Sequence, residues 1–167
     1  MKNRVILSLG SNIGDKKKNL TYAIRLLVEN CGNLVKSSSF YITEPVGYKD
    51  QDDFINIAII METELTPIEM LEKIGKIEGS LGRKRTFKDA PRTIDIDIIT
   101  FGDSIISTEN LTIPHPRYRE RLFVLKPMYE IDPEFTDPST KESIKEILAS
   151  CSDSSYIIID GDFNVCI

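Results

Sequence analysis

The chain has 167 residues, 41% of them hydrophobic and 28% charged, which is enough to bury a self-sufficient core and is ordinary for a soluble globular protein. With 21 basic and 26 acidic residues the net charge is −5, a poor balance for a duplex nucleic-acid binder. No apolar run approaches the roughly 20 residues of a membrane span. Three scattered cysteines, Cys31, Cys151 and Cys166, exclude a zinc motif, argue against a disulfide framework and fit a reducing compartment.

Residues 4–9 form a short β-type run straight after the first charged residues. It is too short for a signal-peptide core and no small-residue cleavage site follows, so the mature chain is read as starting at Met1 and staying in the cytoplasm. Gly10-Ser11-Asn12-Ile13-Gly14 lacks the lysine and hydroxyl of a nucleotide loop and reads as a tight turn, with a place lining the site open to it. Residues 16–29 have helical periodicity, with Leu20, Ala23, Ile24, Leu27 and Val28 on one face. Residues 35–41 read as a strand, 43–53 as a loop and 54–62 as a strand. Thr66-Pro67-Ile68-Glu69 supplies a cap, a first-turn proline and a capping box. That helix is predicted to reach Leu81 and stop at Gly82. A second loop covers 82–92, and 93–101 is a strand.

The order β-α-β-β-α-β is that of the ferredoxin-like split unit. It predicts an α+β fold, an antiparallel sheet and both helices on one face. Residues 120–131 and 142–149 read as further helices and 151–155 as a linker. Residues 156–159 and 162–166, about Asp160-Gly161, carry a hairpin signature. No internal repeat interrupts this plan, which is read as one domain over residues 1–167.

The chemistry begins in Thr93-Ile94-Asp95-Ile96-Asp97-Ile98. Strand side chains alternate, so Ile94, Ile96 and Ile98 point to the core and Asp95 and Asp97 share the other face. Two aspartates so placed repel unless a cation lies between them, and magnesium suits carboxylates completed by phosphate oxygens and water. On its own, an Asp-x-Asp is more simply a solvent-facing strand. The neighbourhood changes that: Arg83, Lys84, Arg85, Lys88 and Arg92 precede it, and Arg117, Arg119 and Arg121 follow. Carboxylate-held metal among forked guanidinium groups is the equipment of phosphoryl transfer, which needs no protein nucleophile. His115, the single histidine, lies between two prolines among these arginines, where a phosphate or ribose contact is open to it. Phe54 and Phe123 are candidates to stack a flat heteroaromatic ring, and Asn56 to read its edge. From periodicity alone, both phenylalanines are more simply core.

These residues resemble the 6-hydroxymethyl-7,8-dihydropterin pyrophosphokinases of folate biosynthesis. The matching segments include Leu7-Ser8-Leu9-Gly10-Ser11-Asn12-Ile13-Gly14, Asp53-Phe54-Ile55-Asn56, Gly82-Arg83-Lys84-Arg85, Pro91-Arg92-Thr93-Ile94-Asp95-Ile96-Asp97-Ile98 and Ile113-Pro114-His115-Pro116-Arg117. Arg121 and Phe123 follow in register. The resemblance implies transfer of the β,γ-pyrophosphoryl group of ATP to the pterin hydroxymethyl group, with release of AMP. It implies two magnesium ions on Asp95 and Asp97, and Arg83 and Arg92 as catalytic residues. It assigns ATP contacts to Glu78, Arg83, Arg85, Arg92, Ile98, Thr112, His115 and Arg121. It assigns pterin contacts to Thr43, Pro45, Val46, Phe54, Asn56, Asp95 and Phe123. A cytoplasmic monomer acting without nucleic acid or membrane is implied as well. Phe54 stands where the family commonly has tyrosine, and Lys88-Asp89-Ala90 occupies a stretch that usually carries a tryptophan, a residue this chain lacks.

Two other classes make different demands. A magnesium nucleotidyltransferase on a similar sheet would release pyrophosphate rather than AMP, and would want a third carboxylate and a basic primer face. An RNA-binding module would need exposed sheet aromatics, a pattern that Tyr41, Phe54 and Phe101 do not make.

Overall fold

The computed structural model describes residues 1–82 and 91–163. Its elements are β1 (Asn3–Ser11), α1 (Lys16–Asn30), β2 (Asn33–Ser37), β3 (Tyr41–Thr43), β4 (Phe54–Thr63), α2 (Pro67–Ser80) and β5 (Asp95–Phe101). The small strands β6 (Ile106–Ser107) and β7 (Thr112–Ile113) follow, then a single 3-10 turn at Tyr118–Glu120. The chain ends with α3 (Leu122–Ile131), α4 (Ile144–Ser150) and β8 (Ile157–Ile159). Local chemistry sets the helix starts. Asp15 accepts the Lys18 amide at the head of α1, and Thr66 and Glu69 exchange bonds in a full capping box ahead of Pro67.

The main sheet runs β5-β1-β4-β3-β8, with β2 also paired to β4, and every pairing is antiparallel. Alternation along β1, β4 and β5 builds two cores. Val5, Leu7, Leu9, Ile57, Ile59, Met61, Ile96 and Ile98 face α1 and α2. Ile6, Ala58, Ile60 and Ile99 face α3 and α4. The first two helices therefore share one face, as the element order predicts, and the later two cover the other.

Three sequence expectations need correction. The strand expected over 35–41 breaks into β2 and β3 at residues 38–40. Ser38 makes both a main-chain bond and a hydroxyl bond to Ala58, and the Ser39 amide and hydroxyl turn to the Glu130 carboxylate on α3. These hydroxyls offer the backbone a local alternative to the ladder. Gly10 and Ser11, expected in a tight turn, continue β1 in register with Asn56 and Ile55. The terminal hairpin is replaced by a new edge. β8 pairs antiparallel with β3, and beyond it Asp160 and Gly161 bond the Phe40 main chain while Phe163 meets the Phe40 ring edge-on. Residues 164–166 of the expected second arm lie outside the described residues.

One buried polar knot carries the arginine-rich segment to the sheet. Tyr118 and Asp137 are each only 2% exposed, and the Tyr118 hydroxyl donates to the Asp137 carboxylate. The other Asp137 oxygen accepts from the Ser139 amide and hydroxyl, at 2.8 and 2.7 Å, and from the Thr140 amide. Burial alone would raise the Asp137 carboxyl, but hydrogen bonds from Tyr118, Ser139 and Thr140 hold it below the usual carboxylate range. A carboxyl lowered on folding contributes stability in full above its unfolded value near about 4 and loses it as pH falls through the folded value. Asp137→Asn is therefore expected to cost about 2 kcal/mol at pH 7. The gap to wild type should narrow below about pH 4, as urea unfolding at the two pH values would measure.

Candidate active site

The sheet face covered by α3 and α4 does not stay apolar to its end. Past Ile6, Ala58 and Ile99 the same alternation brings up Ser8 and Gly10 on β1, Phe54 and Asn56 on β4, and Asp95 and Asp97 on β5. Gly10 is the cross-strand partner of Asn56 on one side and of Asp95 on the other. Asp97 lies opposite Ser8, and Thr43 opposite Phe54.

These residues floor a cleft of about 230 Å³. Thr43, Phe54, Asn56, Gly10 and Asp95 make its base, Glu44, Val46 and Gly47 one wall, and Arg92, Arg117, Arg121 and Phe123 the rest. Gly10 is required by a close approach: a Cβ there would lie 2.4 Å from Asn56 Oδ1 and 3.4 Å from the Phe54 ring. Asn56, 4% exposed, donates its amide nitrogen to Thr43 Oγ1 at 2.6 Å, which leaves Oδ1 turned toward Gly10 and the cleft. The Arg121 guanidinium lies 5.5 Å from the centre of the Phe123 ring.

Charge is concentrated at the β5 side. Arg92 Nη1 bonds Asp95 Oδ2 at 3.0 Å. His115 Nε2 stands 4.0 Å from Asp97 Oδ2, while His115 Nδ1 accepts the Arg117 amide at 3.1 Å. Burial, then the Arg121 cation, lower the His115 pKa to about 4 against the opposing pull of Asp95, with Arg117 lowering it further. The ring is therefore neutral at pH 7, and its proton sits on Nε2, facing Asp97. Asp95 and Asp97 are the carboxylates able to share a cation. Among the described residues no group of three or more His, Cys, Asp or Glu side chains could hold one. Such a donor set suits a hard ion that keeps water and substrate oxygens, and does not suit a fully protein-caged metal.

Asn12 ties the surrounding loops together. It is 2% exposed, and its amide nitrogen donates to Gln51 Oε1 at 2.7 Å and to the Asp52 carbonyl at 3.1 Å. Its Oδ1 accepts the Arg92 amide at 2.7 Å, and its own amide donates to the Arg92 carbonyl at 3.0 Å. One side chain thus joins the 44–53 loop to the segment that delivers Arg92.

The family model for 7,8-dihydro-6-hydroxymethylpterin-pyrophosphokinase matches residues 6–133. The chain belongs to this family. A 2-amino-4-hydroxy-6-hydroxymethyldihydropteridine pyrophosphokinase of Bacillus subtilis (strain 168) is 48% identical over 132 residues, 78% of this chain and 79% of that protein. The Methylorubrum extorquens protein of the same name is 43% identical over 90% of this chain and 95% of its own length. A bifunctional protein FolKE of Lactococcus lactis subsp. cremoris is 47% identical over 89% of this chain, which spans only 42% of that protein. Among solved structures, a Plasmodium falciparum HPPK-DHPS crystal structure matches with a TM-score of 0.70 at 17% identity, over 89% of this chain and 41% of that one. At that identity the likeness speaks for the fold, a mixed α and β architecture with an antiparallel sheet.

Of the residues that the family resemblance singles out, Thr43, Val46, Phe54, Asn56, Arg92, Asp95, Arg121 and Phe123 come together in the cleft, with Asp97 and His115 beside it. Pro45 is buried next to it, and its carbonyl accepts Lys49 Nζ at 2.6 Å. Glu78, Ile98 and Thr112 do not line the cleft. Glu78 is buried on α2 and accepts the Ile96 amide at 2.9 Å, the Ile98 side chain is in the first core, and Thr112 is on β7. Arg83 and Arg85, with Lys84 and Lys88, lie outside the described residues. Arg119, expected among the flanking guanidinium groups, faces away and bonds Glu142 at 2.8 Å and Thr140 at 2.9 Å. The helical turn at Tyr118–Glu120 separates it from Arg117 and Arg121. Sequence reasoning passed over Glu44 and Gly47, and took Gly10 and Asn12 only as parts of a turn with a place lining the site open to it. A glycine on the strand face opposite Leu7 and Leu9, in phase with Ile6 and Ser8, was the available signal for Gly10.

Because Asn12 is buried and satisfies groups on two loops, Asn12→Ala is expected to cost about 1–3 kcal/mol in chemical denaturation. It should also speed limited proteolysis within residues 44–53, mapped by mass spectrometry, while cleavage elsewhere stays near wild type.

Proposed function

We propose that the cleft is the pterin site and that its charged β5 side receives the triphosphate of ATP. The protein is a folate-biosynthesis pyrophosphokinase, and the reaction follows from that. The pterin hydroxymethyl oxygen attacks the β-phosphorus, the bond between that phosphorus and the α–β bridging oxygen breaks, and AMP leaves with the electron pair. The hydroxyl proton passes to solvent. The observation that carries the assignment is the row Asp95–Gly10–Asn56: an amide oxygen and a carboxylate about one glycine, in a cleft also lined by Phe54 and Phe123. Such a floor accepts hydrogen bonds from the edge of a flat, N–H-rich ring while the two aromatic side chains cover its faces.

Each residue then has a task. Asn56 Oδ1 reads the ring edge, held in its rotamer by Thr43. Phe54 and Phe123 stack. Arg92 and Arg121, with Arg83 and Arg85, neutralise the phosphates as charge moves to AMP, and Arg83 and Arg92 act most directly on the group in transfer. His115, neutral with its proton on Nε2, donates to a phosphate oxygen without adding charge. Glu78 from α2, Ile98 from β5 and Thr112 from β7 are assigned to the nucleotide. Two magnesium ions held by Asp95 and Asp97 would neutralise the triphosphate and sharpen the attacking oxygen. We read the strand order as a ferredoxin-like arrangement within one domain over residues 1–167, working as a cytoplasmic monomer.

Incubation with ATP, Mg²⁺ and 6-hydroxymethyl-7,8-dihydropterin should yield AMP and a diphosphorylated pterin. The yield should fall to background with a chelator and return with excess Mg²⁺. Release of inorganic pyrophosphate would assign nucleotidyl transfer instead. Asp95→Ala and Asp97→Ala should each lower turnover roughly a hundredfold or more, the equivalent of about 3 kcal/mol, with circular dichroism unchanged. Near-normal turnover in both would remove the metal assignment. Gly10→Ala, which drives a methyl group into Asn56, should weaken pterin binding about tenfold or more in equilibrium titration and leave ATP binding near wild type.

A further inference from the structure

The C-terminal segment has no part in the reaction as described so far, and Tyr156 lies beyond the family-matched residues. Yet Tyr156 reaches both stems of the loop that walls the cleft. Its amide donates to Glu44 Oε2 at 3.2 Å, and its carbonyl accepts the Glu44 amide at 3.3 Å. Its phenol donates to the Asp53 carboxylate. Glu44 lines the cleft, and Asp53 directly precedes Phe54 in the cleft floor. The tether is itself fixed on both sides. Asp153 accepts the Leu122 amide at 3.0 Å at the start of α3, and Asp160 pairs with Lys17 on α1 at 3.2 Å. Between these anchors β8 is zipped to β3.

We infer that Tyr156 is a positioning residue for the pterin, holding residues 44 and 53 together so that the loop between them is formed before the ligand arrives. This rests on reading the cleft as the pterin site. The physical argument is preorganisation. A loop whose two stems are closed by a third strand gives up less freedom on binding than one closed only at its base. The far side of the same loop is already held by Asn12 on residues 51 and 52 and by Lys16 on the Asp53 carbonyl at 2.8 Å. Tyr156 acts on the first and last residues together. It touches none of Arg92, Asp95, Asp97 or His115, so its influence should fall on pterin affinity and not on the nucleotide or the chemical step.

The test uses the full chain with Tyr156→Phe, Asp53→Ala and the double variant. Tyr156→Phe keeps the ring and the main-chain bonds to Glu44, and Asp53→Ala removes the acceptor of the phenol while keeping the main-chain contact to Lys16. Each single change should raise the pterin Kd and KM about threefold to tenfold, the range of one hydrogen bond. Values of kcat and of the ATP KM should stay within about twofold, as expected for loss of ground-state binding only. The double variant should be no worse than either single change, because both remove the same bond. An unchanged pterin Kd, an equal rise in both KM values, or additive effects in the double variant would overturn the tether. Wild-type protein that binds ATP but no pterin would overturn the reading of the cleft, and the tether with it. That outcome is distinct from wild-type binding with indifferent variants.

Discussion

The close approach at Gly10 is the constraint on which the site depends. β1 lies between β4 and β5, so any residue at this position stands between Asn56 and Asp95. With no side chain there, Asn56 and Phe54 fold over the strand and the cleft has a floor. With any other residue, the sheet would fill its own binding surface. The ladder on both sides of β1 fixes the spacing of amide and carboxylate, so the geometry of the cleft floor is inherited from backbone pairing.

The same sheet face changes chemistry along its length. Under α3 and α4 it is Ile6, Ala58, Ile60 and Ile99, closed by Tyr118 and Phe135. Beyond the start of α3 it is Asn56, Asp95 and Asp97. The boundary falls where Phe123, packed partly on the second core, also faces the cleft. Stability and chemistry are thus arranged in series on one surface. The knot at Tyr118 and Asp137 joins them, because it fixes the segment that carries Arg117 and Arg121. The opposite face, under α1 and α2, is largely apolar and carries the first core.

Much of this could be read from residues alone. Alternation of isoleucine and aspartate over 94–98 placed both carboxylates on one face, and Thr66 to Glu69 announced its helix. What escaped was information that lies between segments. Gly10 reads as turn or strand until its partners are known, since register is a pairwise property. Ser38 and Ser39 look like strand residues until Ala58 and Glu130 claim their hydroxyls and amides. Arg119 differs from Arg117 and Arg121 only by its phase on one short turn. The tail shows a turn and two apolar arms, yet its strand joins an edge of the sheet more than a hundred residues earlier in the chain. A pairing so distant leaves no local periodicity to find.

The cleft therefore combines a floor and walls of different stiffness. Its floor belongs to strands whose side chains interlock at packing density, where small changes are felt as strain. Its walls, residues 44–47 and the approach to Arg92, are held mostly by individual hydrogen bonds from Asn12, Lys16, Lys49 and Tyr156. Each such bond contributes on the order of 1 kcal/mol, so the walls can open to admit substrates at a cost well below that of unfolding. A pyrophosphoryl donor must be shielded from water during transfer, yet its products must leave. A rigid floor that fixes the reacting groups, with walls closed by a few separable bonds, meets both demands in one site.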